Sequence, residues 1–296
     1  MFDEVYQIYE GTVFRPPSEA RSLILQATIG CSHNRCTFCI SYRDKKFRIK
    51  SFEEVKQDVE NVLPYYKNTK RIFLADGNAL KIPTNDLSKI LHLLEDNFPK
   101  LERVGIYACP HDVLKKSVSE LKELKKAGLG IIYIGLESGS DFILKKVRKG
   151  ALSKQMIEAV GKVKEADILL SVIFILGLGG KKLSEEHAKE TAKVLSEMDP
   201  DYAGALTLMV VKGTEIYDEV KNGELELLDP RGVFQELRIL IQNMNLSHCV
   251  FRANHASNYL PVGGTFPEDK KNILDRIDRI LKKKDVSFKP EWLRAL

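Results

Sequence analysis

Long apolar runs are missing from this chain of 296 residues: nothing approaches the roughly eighteen consecutive apolar residues of a membrane-spanning helix. The opening Met-Phe-Asp-Glu-Val-Tyr-Gln lacks the basic and apolar stretches of a secretory leader. Strong net charge is missing too. A formal +5, from 46 Lys and Arg set among 41 Asp and Glu, is a solvated mixed surface rather than a nucleic-acid footprint. Even Lys282-Lys-Lys284 is one local run. Cysteine is scarce, five in all, which excludes a disulfide-built scaffold. No membrane partner and no nucleic acid are therefore expected. With 44% hydrophobic residues the chain can bury a core as one barrel-sized domain or two smaller ones.

What is there is concentrated. Three of the cysteines stand in Cys31-Ser-His-Asn-Arg-Cys36-Thr-Phe-Cys39, directly after the apolar run Ser22-Leu-Ile-Leu-Gln-Ala-Thr-Ile29. Thiolates crowded at C-x4-C-x2-C suit a soft metal, an iron–sulfur cluster or zinc. Both usually take four protein ligands, and here the next cysteine is Cys109. A four-iron cluster on three thiolates would leave one iron open to a small molecule. Zinc with His33 as fourth ligand, a closed cluster of the plant ferredoxin spacing, and unrelated core cysteines all stay open at this point. Metal-binding thiols of this kind belong in a reducing compartment, so a cytoplasmic location is expected.

The chain otherwise alternates strand and helix after an irregular lead-in over 1–20. Apolar runs predict strands over 22–29, 71–75, 103–109, 131–136, 169–176 and 202–211. Helices are predicted over 51–66, 85–98, 117–127, 141–147, 153–166 and 184–197, the first opened by the capping-box pair Ser51 and Glu54. Strands apolar throughout and separated by helices imply an α/β fold with a parallel sheet. The glycine-rich turn of a dinucleotide-binding sheet is absent after the first strand, and polar residues gather at strand C-termini. A parallel, TIM-like partial (β/α)6 barrel is therefore expected over 21–212. An extension over 213–296, with helices near 230–244 and 267–284, would fold an irregular stretch, 247–266, across the mouth.

These residues resemble the radical S-adenosylmethionine superfamily. The resemblance rests on the cysteine loop with Phe38 before its last cysteine, on Ala75-Asp-Gly77 after the second strand, and on Gly135-Leu-Glu-Ser-Gly-Ser140 followed by Leu144 and Arg148. Ile173-Phe-Ile-Leu-Gly-Leu-Gly179 adds the glycine motif of the fifth strand. The third of these is similar to the subgroup of methylthiotransferases and oxygen-independent coproporphyrinogen oxidase. Most of the superfamily has C-x3-C-x2-C, so this loop carries one extra residue.

The resemblance implies a [4Fe-4S] cluster on Cys31, Cys36 and Cys39 and S-adenosyl-L-methionine on its open iron. It implies cofactor contacts from Phe38, from backbone oxygens of Asp76 and Gly77, from Glu137 to ribose, and from Ser138 beside it. Arg148 would meet the methionine carboxylate, and Gly177 and Gly179 would admit adenine. An electron donor such as ferredoxin or flavodoxin, and a small or peptide-borne substrate, would be the partners. Arg252, Asn254, His255 and Tyr259 are the polar groups expected to orient that substrate. Cys109 and Cys249 are too few for an auxiliary cluster and read as buried small residues. The alternative is a non-catalytic, haem- or cofactor-binding relative of coproporphyrinogen oxidase.

Overall fold

The structure, a computed structural model, describes residues 9–295; the stretch read for a leader, and residues 1–8 of the lead-in, lie outside the described residues. The described chain divides into two compact units. The first comprises the chain up to Asn34, Ser41–Ile134 and Glu158–Leu170; the second comprises Arg35–Ile40, Gly135–Ile157 and Ser171–Leu296.

In the first unit, β1 (Leu23–Gln26), β4 (Arg71–Ala75), β5 (Arg103–Ala108) and β6 (Leu129–Glu137) pair in that order, all parallel. The chain of β6 passes into the second unit at Gly135. Registers such as Leu25↔Leu74 and Ile72↔Val104 place apolar side chains in adjacent, fully buried rows. That burial is why these runs do not alternate with polar residues. The expected first strand is broken at Ala27: its end, β2 (Thr28–Ile29), leaves the sheet and pairs antiparallel with β3 (Arg48–Ile49). The helices α1 (Phe52–Tyr66), α2 (Thr84–Asn97) and α4 (Val118–Lys126) lie close to their predicted bounds. Both reciprocal hydrogen bonds of a capping box form at Ser51 and Glu54, and again at Ser117 and Glu120. A short helix, α3 (Pro110–Lys115), was not expected. Cys109 precedes it, and Pro110 stands where a missing N–H costs nothing.

In the second unit, β7 (Leu169–Leu176) pairs in parallel with β8 (Tyr202–Thr207) over Ser171–Leu176, and β8 with β9 (Cys249–Ala253). Strand β8 stops four residues before the predicted end at 211; Gly213, at φ +95°, turns the chain into α8 (Glu215–Lys221). The helices α5 (Asp141–Lys146), α6 (Ser153–Glu165; shared with the first unit), α7 (Gly180–Met198), α9 (Pro230–Asn243) and α10 (Lys270–Lys282) match the periodic segments.

The stretch 247–266 corrects its reading as irregular. It is a hairpin, β9 against β10 (Val262–Phe266), antiparallel with Phe251↔Gly264. Cys249, Phe251 and Ala253 are buried while Arg252 is exposed, a period of two that the glycines and polar residues of the connection obscure.

Candidate functional site

The stretches picked out for the cofactor follow strand ends: the cysteine loop follows β1 by way of β2, Asp76 and Gly77 follow β4, Glu137 ends β6 and Gly177 follows β7. In the first unit the ends of β1 and β4 are tied together by one carboxylate. Asp76 is fully buried, and its Oδ2 accepts from the Gly30 amide at 2.9 Å, from Gln26 Nε2 at 3.1 Å and from Lys45 Nζ at 2.9 Å. Its other oxygen, Oδ1, is buried and has no hydrogen-bond donor among the described residues. Gly30 and Lys45 flank the cysteine segment, so the carboxylate clamps both arms of that loop. Gly77 follows, and its amide donates to the Gly30 carbonyl at 3.1 Å. A Cβ at position 77 would stand 2.8 Å from the Cβ of Cys31 and 2.8 Å from the Tyr42 ring. Only glycine therefore lets Cys31 lie directly on this turn.

Asn78 extends the frame. Its amide donates to Ser32 Oγ at 2.7 Å and to Asp112 at 2.6 Å, and its oxygen accepts from the Cys109 amide at 3.1 Å. The residue after Cys31 is thus joined through one side chain to the end of β5. Lys81 pairs with Asp112 at 3.1 Å, and this carboxylate raises the lysine's pKa.

In the second unit, Cys36 and Cys39 close a turn in which the Cys39 amide donates to the Cys36 carbonyl at 3.2 Å. Phe38 packs with the apolar cluster of Ile143, Val147, Leu178 and Ile216. Glu137, mostly buried and with φ +63°, pairs with Lys149 at 2.7 Å. Gly135 leaves room for that carboxylate, which would lie 2.1 Å from a Cβ placed there. Ser138 is buried, its hydroxyl 2.8 Å from His187 Nδ1. Gly177, at φ +81°, donates its amide to Glu236 at 2.6 Å, and Gly179 caps α7. Arg148 forms an ion pair with Glu215, with side-chain exposures of 56% and 43%.

The residues picked out for substrate divide. Arg252 is exposed on β9 and bonds the carbonyls of Phe251 and Gly264. Asn254 is exposed and His255 half-buried, its Nδ1 accepting from the Ser257 amide at 3.1 Å. Tyr259 is buried, donates to Glu291 at 2.5 Å and accepts from Arg294 at 2.8 Å; it fastens the C-terminal segment to the fold.

Sequence reading missed Lys45, Asn78, Asp112, His187 and Glu236. For the last two a signal exists: each sits on the buried stripe of its helix, among Ala188, Thr191 and Leu195 or Val233, Leu237 and Leu240. A charged or titratable residue on such a stripe has a partner inside the protein. No disulfide joins the cysteines; Cys31, Cys36, Cys39 and Cys109 are half-buried and Cys249 is buried. Among the described residues, no three His, Cys, Asp or Glu side chains stand together as a ready-made metal site. Among them, too, no helix is long and apolar enough to cross a membrane.

Residues 25–195 match the family described as the radical SAM superfamily. A tRNA-2-methylthio-N(6)-dimethylallyladenosine synthase of Fusobacterium nucleatum is 28% identical over 228 residues, 69% of this chain and 49% of that protein. A Methanocaldococcus jannaschii protein, MJ0486, is 23% identical over 276 residues, 89% of this chain and 77% of that one. Among solved structures, the cobalamin-dependent S-adenosylmethionine radical enzyme OxsB, with aqua-cobalamin and S-adenosylmethionine bound, aligns with a TM-score of 0.51 at 26% identity. That alignment covers 69% of this chain and 30% of the enzyme. The chain thus spans about half the length, or less, of the named enzymes it matches.

Proposed function

We propose that this chain, which belongs to the radical S-adenosylmethionine superfamily, is a radical S-adenosylmethionine enzyme that activates a substrate by hydrogen-atom abstraction. The observation that carries the proposal is the seat of Cys31 on Gly77, with the Asp76 carboxylate clamping Gly30 and Lys45 at either side of the three-cysteine loop. The donor set suits the group. Three thiols on one loop are the donor set that would hold three irons of a [4Fe-4S] cluster. The chemistry such a cluster supplies when bound is one-electron cleavage of the S-adenosylmethionine sulfonium, which yields a radical able to take a hydrogen atom.

The chain's own residues bind and orient. Backbone oxygens of Asp76 and Gly77 accept from the methionine ammonium, and in the same turn Asp76 Oδ1 is an acceptor without a donor among the described residues. Arg148 takes the methionine carboxylate; its pair with Glu215 is exposed, and such pairs contribute only about 0–1 kcal/mol, so exchange of partners costs little. Glu137, held by Lys149, accepts from the ribose hydroxyls, with Ser138 beside it. Gly177 and Gly179 admit the adenine, and Phe38 backs the loop from its apolar cluster. A one-electron donor of the ferredoxin or flavodoxin kind is the partner the chemistry requires. On the substrate side, His255 with Asn254 is the polar pair left to orient a ligand. Two of the relatives, the tRNA-modifying synthase and OxsB, are enzymes, and the carrier alternative has no support. Sulfur insertion is not proposed: Cys249 is buried, its thiol pushed up to about 12 mainly by burial.

The test is anaerobic reconstitution with iron and sulfide. About four irons per chain, and conversion of S-adenosylmethionine to 5′-deoxyadenosine on reduction, are expected. The Cys36→Ala variant should hold no cluster. Zinc uptake in place of iron would refute the reading.

A further inference from the structure

Beneath the turns assigned to the adenosine half of the cofactor lies a buried polar frame that no cofactor contact explains. His187 on α7 and Glu236 on α9 are both fully buried. His187 Nε2 is 3.0 Å from the Ile175 carbonyl, an oxygen that can only accept, so Nε2 carries the proton. Nδ1 lies 2.8 Å from the Ser138 hydroxyl, and that hydroxyl accepts from the Ser140 amide at 3.1 Å. One turn along α7, Thr191 Oγ1 accepts the Gly139 amide at 2.8 Å. A Cβ at Gly139 would lie 2.1 Å from the Glu190 carbonyl, so this turn rests directly on the α7 backbone. Glu236 serves the next turn: Oε1 takes the Gly177 amide at 2.6 Å and Oε2 the Ser184 hydroxyl at 2.6 Å. Burying a carboxyl group to hold a backbone amide and a serine hydroxyl is costly unless the position of that turn matters.

We propose that Glu236, His187 and Thr191 are positioning residues that hold the Ser138–Gly139 and Gly177 turns in register to receive the adenosine moiety. The inference rests on the assignment of those turns to S-adenosylmethionine. It makes the affinity for the adenosine end depend on hydrogen bonds from α7 and α9 that never touch the ligand. Glutamine at 236 can keep both bonds, its oxygen accepting from Gly177 and its amide donating to Ser184 Oγ. Leucine can keep neither and leaves a buried amide unmet. At 191, serine preserves the acceptor for Gly139 and valine removes it.

The experiment measures binding of S-adenosylmethionine, and of 5′-methylthioadenosine as a probe of the adenosine end alone, to the iron-loaded protein by calorimetry. Iron content and unfolding midpoint are recorded alongside. Glu236→Leu and Thr191→Val should each weaken both ligands about tenfold. Glu236→Gln and Thr191→Ser should stay within about twofold of the parent, with iron content unchanged in all four. Unchanged affinity for 5′-methylthioadenosine in Thr191→Val, which keeps side-chain volume, would overturn the inference even if Glu236→Leu failed to fold. If the parent protein takes up iron but binds neither ligand, the assignment of the turns itself falls.

Discussion

Lys45 Nζ and the Asp76 carboxylate, 31 positions apart, meet at 2.9 Å with side-chain exposures of 5% and 0%. One oxygen of Asp76 carries this ion pair together with the Gly30 amide, so the arms on either side of the cysteine segment share an anchor. Lys45→Met would leave a buried carboxylate with only neutral donors, a loss of about 3–5 kcal/mol for a buried pair broken from one side. The expected result is a stability loss of that size in anaerobic urea unfolding, and incomplete iron uptake. Full stability would show that the clamp is not what orders the loop.

Arg148→Ala tests the cofactor reading at its most exposed point. Removing the exposed pair with Glu215 should change stability by less than about 1 kcal/mol. S-adenosylmethionine binding should weaken by about 1.5–3 kcal/mol, the range for a hydrogen bond to a charged group. Equal binding by both proteins would leave Arg148 as a partner of Glu215 alone.

His255→Ala should leave iron content and S-adenosylmethionine affinity intact. 5′-Deoxyadenosine should still form, but substrate turnover should fall. The same residue gives a pH signature. Burial, and then the charge of Lys289, lower the imidazole's pKa below its usual 6.5. The folded state therefore resists protonation that the unfolded chain accepts. The stability contribution is fully present above about 6.5 and declines as pH falls from there toward the folded pKa. His255→Ala should flatten that part of the stability–pH curve; an unchanged curve would show that another group carries it.

The cysteines should sort by reactivity. In metal-free protein, half-buried Cys31, Cys36, Cys39 and Cys109 should alkylate with iodoacetamide at pH 8, while Cys249 should not. Its pKa of about 12 leaves almost no thiolate, and the fold covers it. Because its folded pKa is raised, its contribution to stability is complete below about 9 and lost as pH climbs toward 12. Peptide mass spectrometry reads the pattern; rapid labelling of Cys249 would place it outside the core.

Signals carried within a few residues were legible in the sequence by itself. Strands β4 and β7 fall at their predicted bounds because an apolar run buried on both faces needs no partner to be recognised. The capping box at Ser51 is closed by Glu54, three positions on. The cysteine loop is equally local, and together with the motifs at 75–77, 135–140 and 173–179 it carried the resemblance to the superfamily that residues 25–195 match. Only the tertiary structure decided what the polar side chains do. Asp76 offers its side chain to Gly30 and Lys45, Tyr259 is taken by Glu291 and Arg294, and Glu236 reaches Gly177 across 59 positions. Most buried polar atoms are paired wherever the fold brings a donor or acceptor, and their desolvation cost is offset by partners that no local spacing encodes. The β9–β10 hairpin belongs with these: its alternation is short and interrupted, and parallel pairing of β9 with β8 is what makes it a strand.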